Sequence, residues 1–531
     1  MLLARLLTGA WQDMFLHNGD SIVLPMILQS FSRQETFEWV FSSQLFFFPE
    51  IPLYAVSALF APTPQAALAI NAGLNLVLLY GALRWVGSIL SPQRFPRHAI
   101  VLSALLCIGL FAVFVVLERD PVVNSTAMAT FFLLTTYYSG SVLSGLAVVS
   151  LSLWMIRNPV IERGQFRALA PRSAAVFAIS WLTATSNPLF LLQIAAPLAV
   201  TLLLLLFMGR VNWIVFSVVV GVQAVAAAAS LLTRRLLVAF YSTDVAGYVR
   251  TDEIPASMKA LSQVVLDLLD RKSGTLKLVL LVALMSISAG YLLVALYAQA
   301  RPQMAKRFST TKVFIASYVS ITVVVLLLGY IVTGSTTTRY LIPLFIIPLL
   351  GGVALLTSVG ERILRRWPLR ANRVILSMLG VLLVLGGAGT ALSAPRLAEV
   401  TASEEFSSAD CLDSFLAGKS ANGVASFWSS RPMELYGSHT GVILQVYPDS
   451  LSAQAWMINM ASFVDRDFSY VVVDGTWMTA ENVQSLGKPA AIHQCGSYDI
   501  YDYEGTEGKS LLTGSVQRSV LSIRTERGFD H

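Results

Sequence analysis

Three charged residues stand at the edges of apolar runs, where a membrane protein could use them for chemistry. Asp20 lies in His17-Asn18-Gly19-Asp20-Ser21, just ahead of the apolar IVLPMILQSF, and Glu50 closes Phe46-Phe47-Phe48-Pro49-Glu50. A carboxylate held at headgroup depth beneath amphipathic helices can take a proton from a hydroxyl. Arg339 follows Thr336-Thr337-Thr338 and precedes Tyr340-Leu341-Ile342-Pro343. A guanidinium in that setting can hold a phosphate through two parallel hydrogen bonds, with Tyr340 beside it. Each residue also has a plainer role: Asp20 as cap of the following helix, Glu50 as a solvated side chain, Arg339 as a snorkelling helix end. Glu118 and Asp120, in Glu118-Arg119-Asp120-Pro121, read as a solvated turn facing the same side. His17, Asn18 and Asn187 are further candidates for lining a cavity. There is no Gly-rich phosphate loop, no GxSxG, and no Cys- or His-rich spacing of a structural metal site.

Only a membrane protein has elements that would position such residues. The 531 residues are 55% hydrophobic and 13% charged, against roughly 25% charged in soluble domains. Mean hydropathy is +0.66. Lys and Arg outnumber Asp and Glu by 28 to 14 before residue 394, and are outnumbered 9 to 17 after it. Basic loops between apolar spans are what the positive-inside rule produces, and they argue against a nucleic-acid partner.

Apolar runs near 65–90, 99–117, 127–156, 173–186, 188–208, 211–232, 274–298, 312–333, 338–357 and 374–393 predict crossings. The run within 1–17 is short and lacks a small-residue cleavage site, so it reads as an abbreviated first span, for about eleven in all. Pro188 divides two of these runs. Arg94 and Arg97, then Arg157, Arg163, Arg167 and Arg172, then Arg301, Lys306, Arg307 and Lys312, then Arg362 to Arg373 all fall on one side, expected to be the cytoplasm. The other side receives 18–64, 118–126, 233–273, 334–338 and everything after 393. The loop 233–273 is an exception, carrying six basic and five acidic residues, which suggests a folded element.

Residues 394–531 read as a soluble extracytoplasmic α/β domain beside a membrane domain of residues 1–393. Strands are expected at Gly441–Val446, Tyr470–Val473 and Tyr498–Tyr503, and helices over 403–418, 451–463 and 479–486. Cys411 and Cys495 lie in this tail and Cys107 lies in a span. An oxidising compartment favours a Cys411–Cys495 disulfide. Two buried thiols, or a catalytic Cys paired with His439 or His493, are the alternatives.

The arrangement resembles the GT-C glycosyltransferases, multispanning enzymes that use polyprenyl-phosphate-linked sugars, and especially members related to the protein mannosyltransferases. The resemblance rests on Asp20 early in the first outer loop, on Phe47-Phe48-Pro49-Glu50, on Arg339-Tyr340 with Pro343, and on an outer C-terminal domain. The tail, with Phe427-Trp428, Gln445-Val446, Ala455-Trp456 and Cys495-Gly496, looks like domains on bacterial members. The chain departs from the family in lacking a second acidic residue adjacent to Asp20. The resemblance implies an inverting transfer from a polyprenyl-phosphate sugar donor to a glycan, lipid or protein acceptor at the outer face of a bacterial inner membrane. It makes Asp20 the general base and Arg339 the stabiliser of the departing phosphate. Glu50 would hold the acceptor or a divalent metal. A flippase or transporter of lipid-linked glycan, and a non-catalytic membrane anchor with a glycan- or partner-binding tail, are the competing readings.

Overall fold

The computed structural model describes residues 2–92, 95–122, 126–158, 166–243, 249–402 and 406–529. Arg94 and Arg163 of the predicted basic loops, and residues 403–405 of the first predicted tail helix, lie outside them. Among the described residues eight helices are long and apolar enough to cross a membrane: Pro64–Leu90, Arg97–Leu117, Ser139–Arg157, Trp213–Leu236, Lys272–Gln299, Thr310–Val332, Thr338–Arg366 and Pro368–Ala402. Phe166–Ser186 and Leu191–Phe207 complete the bundle, separated at Asn187-Pro188 as the proline requires. Local sequence sets several helix starts. Pro64 occupies the first turn of its helix while the Thr63 hydroxyl accepts from the Ala66 amide at 3.1 Å. Asn212 caps Trp213–Leu236 in the same way at 2.8 Å.

The N-terminal segment does not form the expected crossing. It is two short helices, Leu2–Leu7 and Gln12–Leu16, broken at Gly9-Ala10-Trp11, and each extends only about 8–9 Å at 1.5 Å per residue. The predicted span 127–156 is also shorter. Its first third is a brief helix, Met128–Phe131, and an irregular turn that leads into Ser139–Arg157.

The segments assigned to one side of the membrane do lie together. Strand β1 (Trp39–Val40) of the first loop pairs antiparallel with a strand of the tail, Ile458–Asn459. Glu38, buried, takes a bidentate ion pair from Arg524 at 2.8 and 2.9 Å. Phe41 bridges to Tyr241, and Arg527 donates to the carbonyls of Ala239 and Tyr241 at 2.9 and 3.1 Å. The exceptional basic loop contains a folded element, helix Ile254–Asp270. Several of its cations are engaged: Arg234 on the Thr185 carbonyl at 2.9 Å, Arg250 on Glu253 at 3.1 Å, and Arg271 on Asp120. On the opposite face, Arg157 donates to Ser88 O at 3.0 Å, Arg210 to Phe308 O at 2.7 Å, and Lys312 meets Glu361 at 3.5 Å.

The last membrane helix runs to Ala402, through residue 394, and its Thr401 carbonyl accepts from Thr63 at 2.5 Å. Beyond it the tail is a helix–sheet–helix sandwich. Strands β2 (Asn422–Ala425), β3 (Ile443–Tyr447), β4 (Ser452–Ala453), β5 (Ile458–Asn459), β6 (Phe468–Val473), β7 (Ala491–Gln494) and β8 (Asp499–Asp502) follow in sequence. All but β5 form a six-stranded sheet in the order β4-β3-β2-β6-β8-β7, parallel only at β3-β2-β6. Helix Glu507–Arg527 presses Leu512, Val516 and Val520, spaced by four, onto one face. Helix Ser407–Leu416 covers the other with Leu412 and Leu416. Cys411 and Cys495 form the disulfide, with Cα atoms 5.6 Å apart. This leaves no thiol for the Cys–His alternative, and His439 instead bonds Asp413 at 2.7 Å. The helices predicted at 451–463 and 479–486 are absent. Extended pairs and 3-10 turns occupy those positions: Gln445 donates to the Gln454 and Trp456 carbonyls at 2.9 and 2.6 Å, and the Asn482 side chain accepts from the Thr479 amide and hydroxyl, both at 2.8 Å.

Candidate functional site

The Asp20 turn is built by its own neighbours. The Asn18 side-chain oxygen accepts from the Asp20 amide at 3.1 Å, and the Asn18 carbonyl accepts from Ser21 at 2.9 Å. Asn18 is therefore a turn-former, not a cavity liner. Asp20 does not cap the helix that follows, since Ile22 holds that position without a side-chain bond. Gly19 is required at its place: a Cβ there would stand 2.8 Å from the Phe427 ring of the tail.

Three distant segments converge on this turn. Thr135 and Thr136 donate to the carbonyls of Ser21 and Asp20 at 2.7 and 2.8 Å, fastening the loop 132–138 alongside it. The Tyr137 hydroxyl then donates to Asp20 Oδ2 at 3.0 Å. Arg339, in the 3-10 turn Thr338–Leu341, places Nη1 3.2 Å from the same oxygen and its guanidinium 5.5 Å from the Tyr137 ring centre. Asp20 is 7% exposed. Among the described residues its Oδ1 takes no hydrogen bond, and Arg339 Nε, though buried, has no partner. Oδ1 of the carboxylate and Nε–H of the guanidinium are thus among the groups left uncommitted around a paired core.

Tyr340 is held through its backbone and its ring. Its carbonyl accepts from Gln193 at 3.0 Å and its ring meets Tyr138 edge-on at 5.5 Å. Tyr138 has a left-handed backbone, φ +66°, which turns the chain into helix Ser139–Arg157. Two residues on, Gly140 allows Glu50 to approach: a Cβ there would lie 2.5 Å from Glu50 Oε1. The single turn 135–140 thus touches Asp20, Tyr340 and Glu50. Glu50 is not solvated. It is 4% exposed, its Oε2 has no partner, and it opens the short helix Glu50–Ala58 rather than a crossing. Burial pushes its carboxyl up to about 8, so it is mostly neutral at pH 7 and carries a donor hydrogen.

The remaining candidates do not join this group. Glu118 is buried, not in a solvated turn. Lys277 meets it at 2.8 Å, and the amides of Ala129 and Thr130 reach it at 3.1 and 2.7 Å. Asp120 does sit in solvent, paired with Arg271. His17 bonds Asp13 at 3.1 Å and packs against Phe406 and Tyr436, 4.8 and 5.5 Å between ring centres, at the seam with the tail. Asn187 turns the chain at the bundle break, its side chain accepting from Leu189 at 3.1 Å. The adjacent Ser186 holds the first loop through the Leu45 and Phe48 amides at 2.8 and 3.2 Å. Among the described residues no three His, Cys, Asp or Glu side chains are grouped to hold a metal ion. Asp20 already faces a cation, so this donor set does not fit a divalent metal.

Sequence reasoning missed Tyr137, Tyr138 and Gly140. Their signal was present as Thr135-Thr136-Tyr137-Tyr138-Ser139-Gly140-Ser141, a polar interruption in a run read as one span.

No protein-family model and no curated protein matches the chain. Among solved structures, the apo oligosaccharyltransferase of Archaeoglobus fulgidus is similar over 89% of this chain and 68% of that one, at TM-score 0.42 and 11% identity. That likeness is too low to establish a shared fold.

Proposed function

We propose that this protein is a membrane glycosyltransferase. It would move a sugar from a polyprenyl-phosphate donor to a hydroxyl of a cell-envelope glycan, lipid or protein. The reaction would take place on the face where the loops and tail gather, taken as extracytoplasmic. The observation that supports this reading is the Asp20–Arg339 pair, joined across 319 residues at 3.2 Å with Asp20 Oδ1 and the Arg339 Nε–H still open. Several kcal/mol oppose placing charge at membrane depth, so a convergent and incompletely paired set has a functional reason.

In this reading Asp20 Oδ1 takes the proton of the acceptor hydroxyl as its oxygen attacks the anomeric carbon from the face opposite the phosphate. The carbon–oxygen bond to phosphate breaks and its electron pair leaves with the polyprenyl phosphate. Arg339 turns its free Nε–H toward that developing charge. The result is inversion at the anomeric carbon. Tyr137 fixes the carboxylate through Oδ2 and leaves Oδ1 available. Glu50, neutral, donates a hydrogen bond to the acceptor instead of acting as base. A transporter would carry its charges near the middle of the bilayer, whereas Asp20, Glu50 and Arg339 sit on loops and helix starts at one face.

The test is sugar release by detergent-purified protein from a panel of polyprenyl-phosphate sugars, with cell-envelope lipid as acceptor. Wild type turns over and Asp20→Asn, equally stable by thermal melt, does not. Equal turnover by both removes Asp20 from the mechanism.

A further inference from the structure

A second polar site lies between the first loop and the tail. A cavity of about 250 Å³, on the scale of one sugar ring, opens between helix Val23–Ser32, strand β1 and the tail helix Phe427–Tyr436. Arg431 forms part of its wall. It is 1% exposed, and its only hydrogen bond among the described residues runs from Nη2 to the Met457 carbonyl. Nε and Nη1 have no partner. The guanidinium lies between the Trp39 and Phe427 rings, 5.9 and 5.8 Å from their centres, so its direction is set by packing.

The carboxylates of the cavity are already committed. Glu434 accepts from the Ile443 amide at 2.9 Å and faces Arg33 at 3.7 Å. Glu35 accepts from Ser30 and Asn459 at 2.8 and 3.2 Å and shares Arg33 at 3.9 Å. With Arg466 also in the wall, three guanidiniums face two carboxylates. A buried cation with two free donors and, among the described residues, no carboxylate in ion-pair contact is held at a cost that an incoming anion reduces.

We propose that this cavity binds an oxyanion, with Arg431 donating from its unpaired Nε–H and Nη1–H groups to a carboxylate or phosphate on a ligand about one sugar ring in size. The site lies beside the Asp20 turn, across the Phe427 ring, and needs no sugar transfer for its detection.

Thermal melts of the full-length protein in detergent, with millimolar glucuronate, inorganic phosphate or neutral glucose, test this. The wild-type midpoint rises with glucuronate, phosphate or both, and not with glucose. Glucuronate alone identifies an acidic sugar as the source, and phosphate alone a phosphate ester. Arg431→Gln lowers the affinity at least about tenfold, as expected for losing a charge-assisted pair. If that variant does not fold, Arg431→Lys serves: it keeps the charge but not the fork, and binds more weakly than wild type. Arg33→Gln, half-exposed at the rim, gives a smaller loss. No shift in the wild type with either anion, or an unchanged shift in Arg431→Gln or Arg431→Lys, overturns the proposal.

Discussion

Two carboxylate–cation pairs lie on the same face of this protein, and they are built differently. Glu118 and Lys277 are 1% and 2% exposed and meet at 2.8 Å, with two amides on the carboxylate and the Thr126 carbonyl on the ammonium at 2.6 Å. The side chains of Asp20 and Arg339 are 10% and 24% exposed and meet at a single 3.2 Å contact. Arg339 Nε, though buried, has no partner among the described residues. Burial alone therefore does not mark a functional charge. The saturated pair braces the loop before helix Met128–Phe131, and the unsaturated pair has capacity left for a ligand.

The sharpest way to separate the two is to disable each and read both activity and stability. Asp20→Asn keeps the acceptor for Tyr137 and Arg339 but loses the proposed base. Turnover should fall on the order of 10²–10⁴-fold, with little change in the melting midpoint. Lys277→Met should do the reverse, costing about 3–5 kcal/mol because Glu118 is left buried and uncompensated, while each folded molecule turns over as before. Adding Glu118→Gln to Lys277→Met should restore much of that stability, and a strictly additive double mutant would show that the pair is not coupled.

Glu50 gives a smaller, pH-dependent contrast. Its native value is raised from 4.5 to about 8 by burial, so the folded state holds a proton that the unfolded chain has released. The contribution is complete below the unfolded value and is lost as pH rises through about 8. Wild type should therefore melt lower at pH 8.5 than at pH 5.5 by more than Glu50→Gln does, as melts across that range would show. The smallest effect is expected from Tyr137→Phe, which removes one 3.0 Å bond to a carboxylate that keeps Arg339. Turnover should drop by about tenfold or less. A loss as large as that of Asp20→Asn would make Tyr137 a participant in the chemistry.

The sequence was most informative where a residue violates its surroundings. Asp20 and Arg339 stand out because charge is costly beside apolar runs, and they do meet. Cys411 and Cys495 stand out through scarcity, and they do pair. It was least informative where a polar group is satisfied by something remote. Glu118 sits among Arg119, Asp120 and Pro121 and reads as solvated, but its partner Lys277 is 159 residues away. Thr135 and Thr136 give up their hydroxyls to carbonyls of another segment, so an apolar average passes over them. Helix Glu507–Arg527 is mostly polar, and its narrow stripe of Leu512, Val516 and Val520 means little until a sheet lies beneath it.

The joint between β1 and β5 bears on how the protein is made. Trp39–Val40 and Glu38 leave the ribosome early, but the strand that pairs the former and the arginine that neutralises the latter arrive more than 400 residues later. Throughout that interval the first loop carries an open strand edge and a carboxylate without its cation. Assembly of this face is therefore delayed until the tail has been made and folded against it. At elongation rates of roughly 5–20 residues per second, that delay lasts tens of seconds. A nascent chain halted within it would present that loop, unfinished, to whatever proteases and chaperones patrol that side of the membrane.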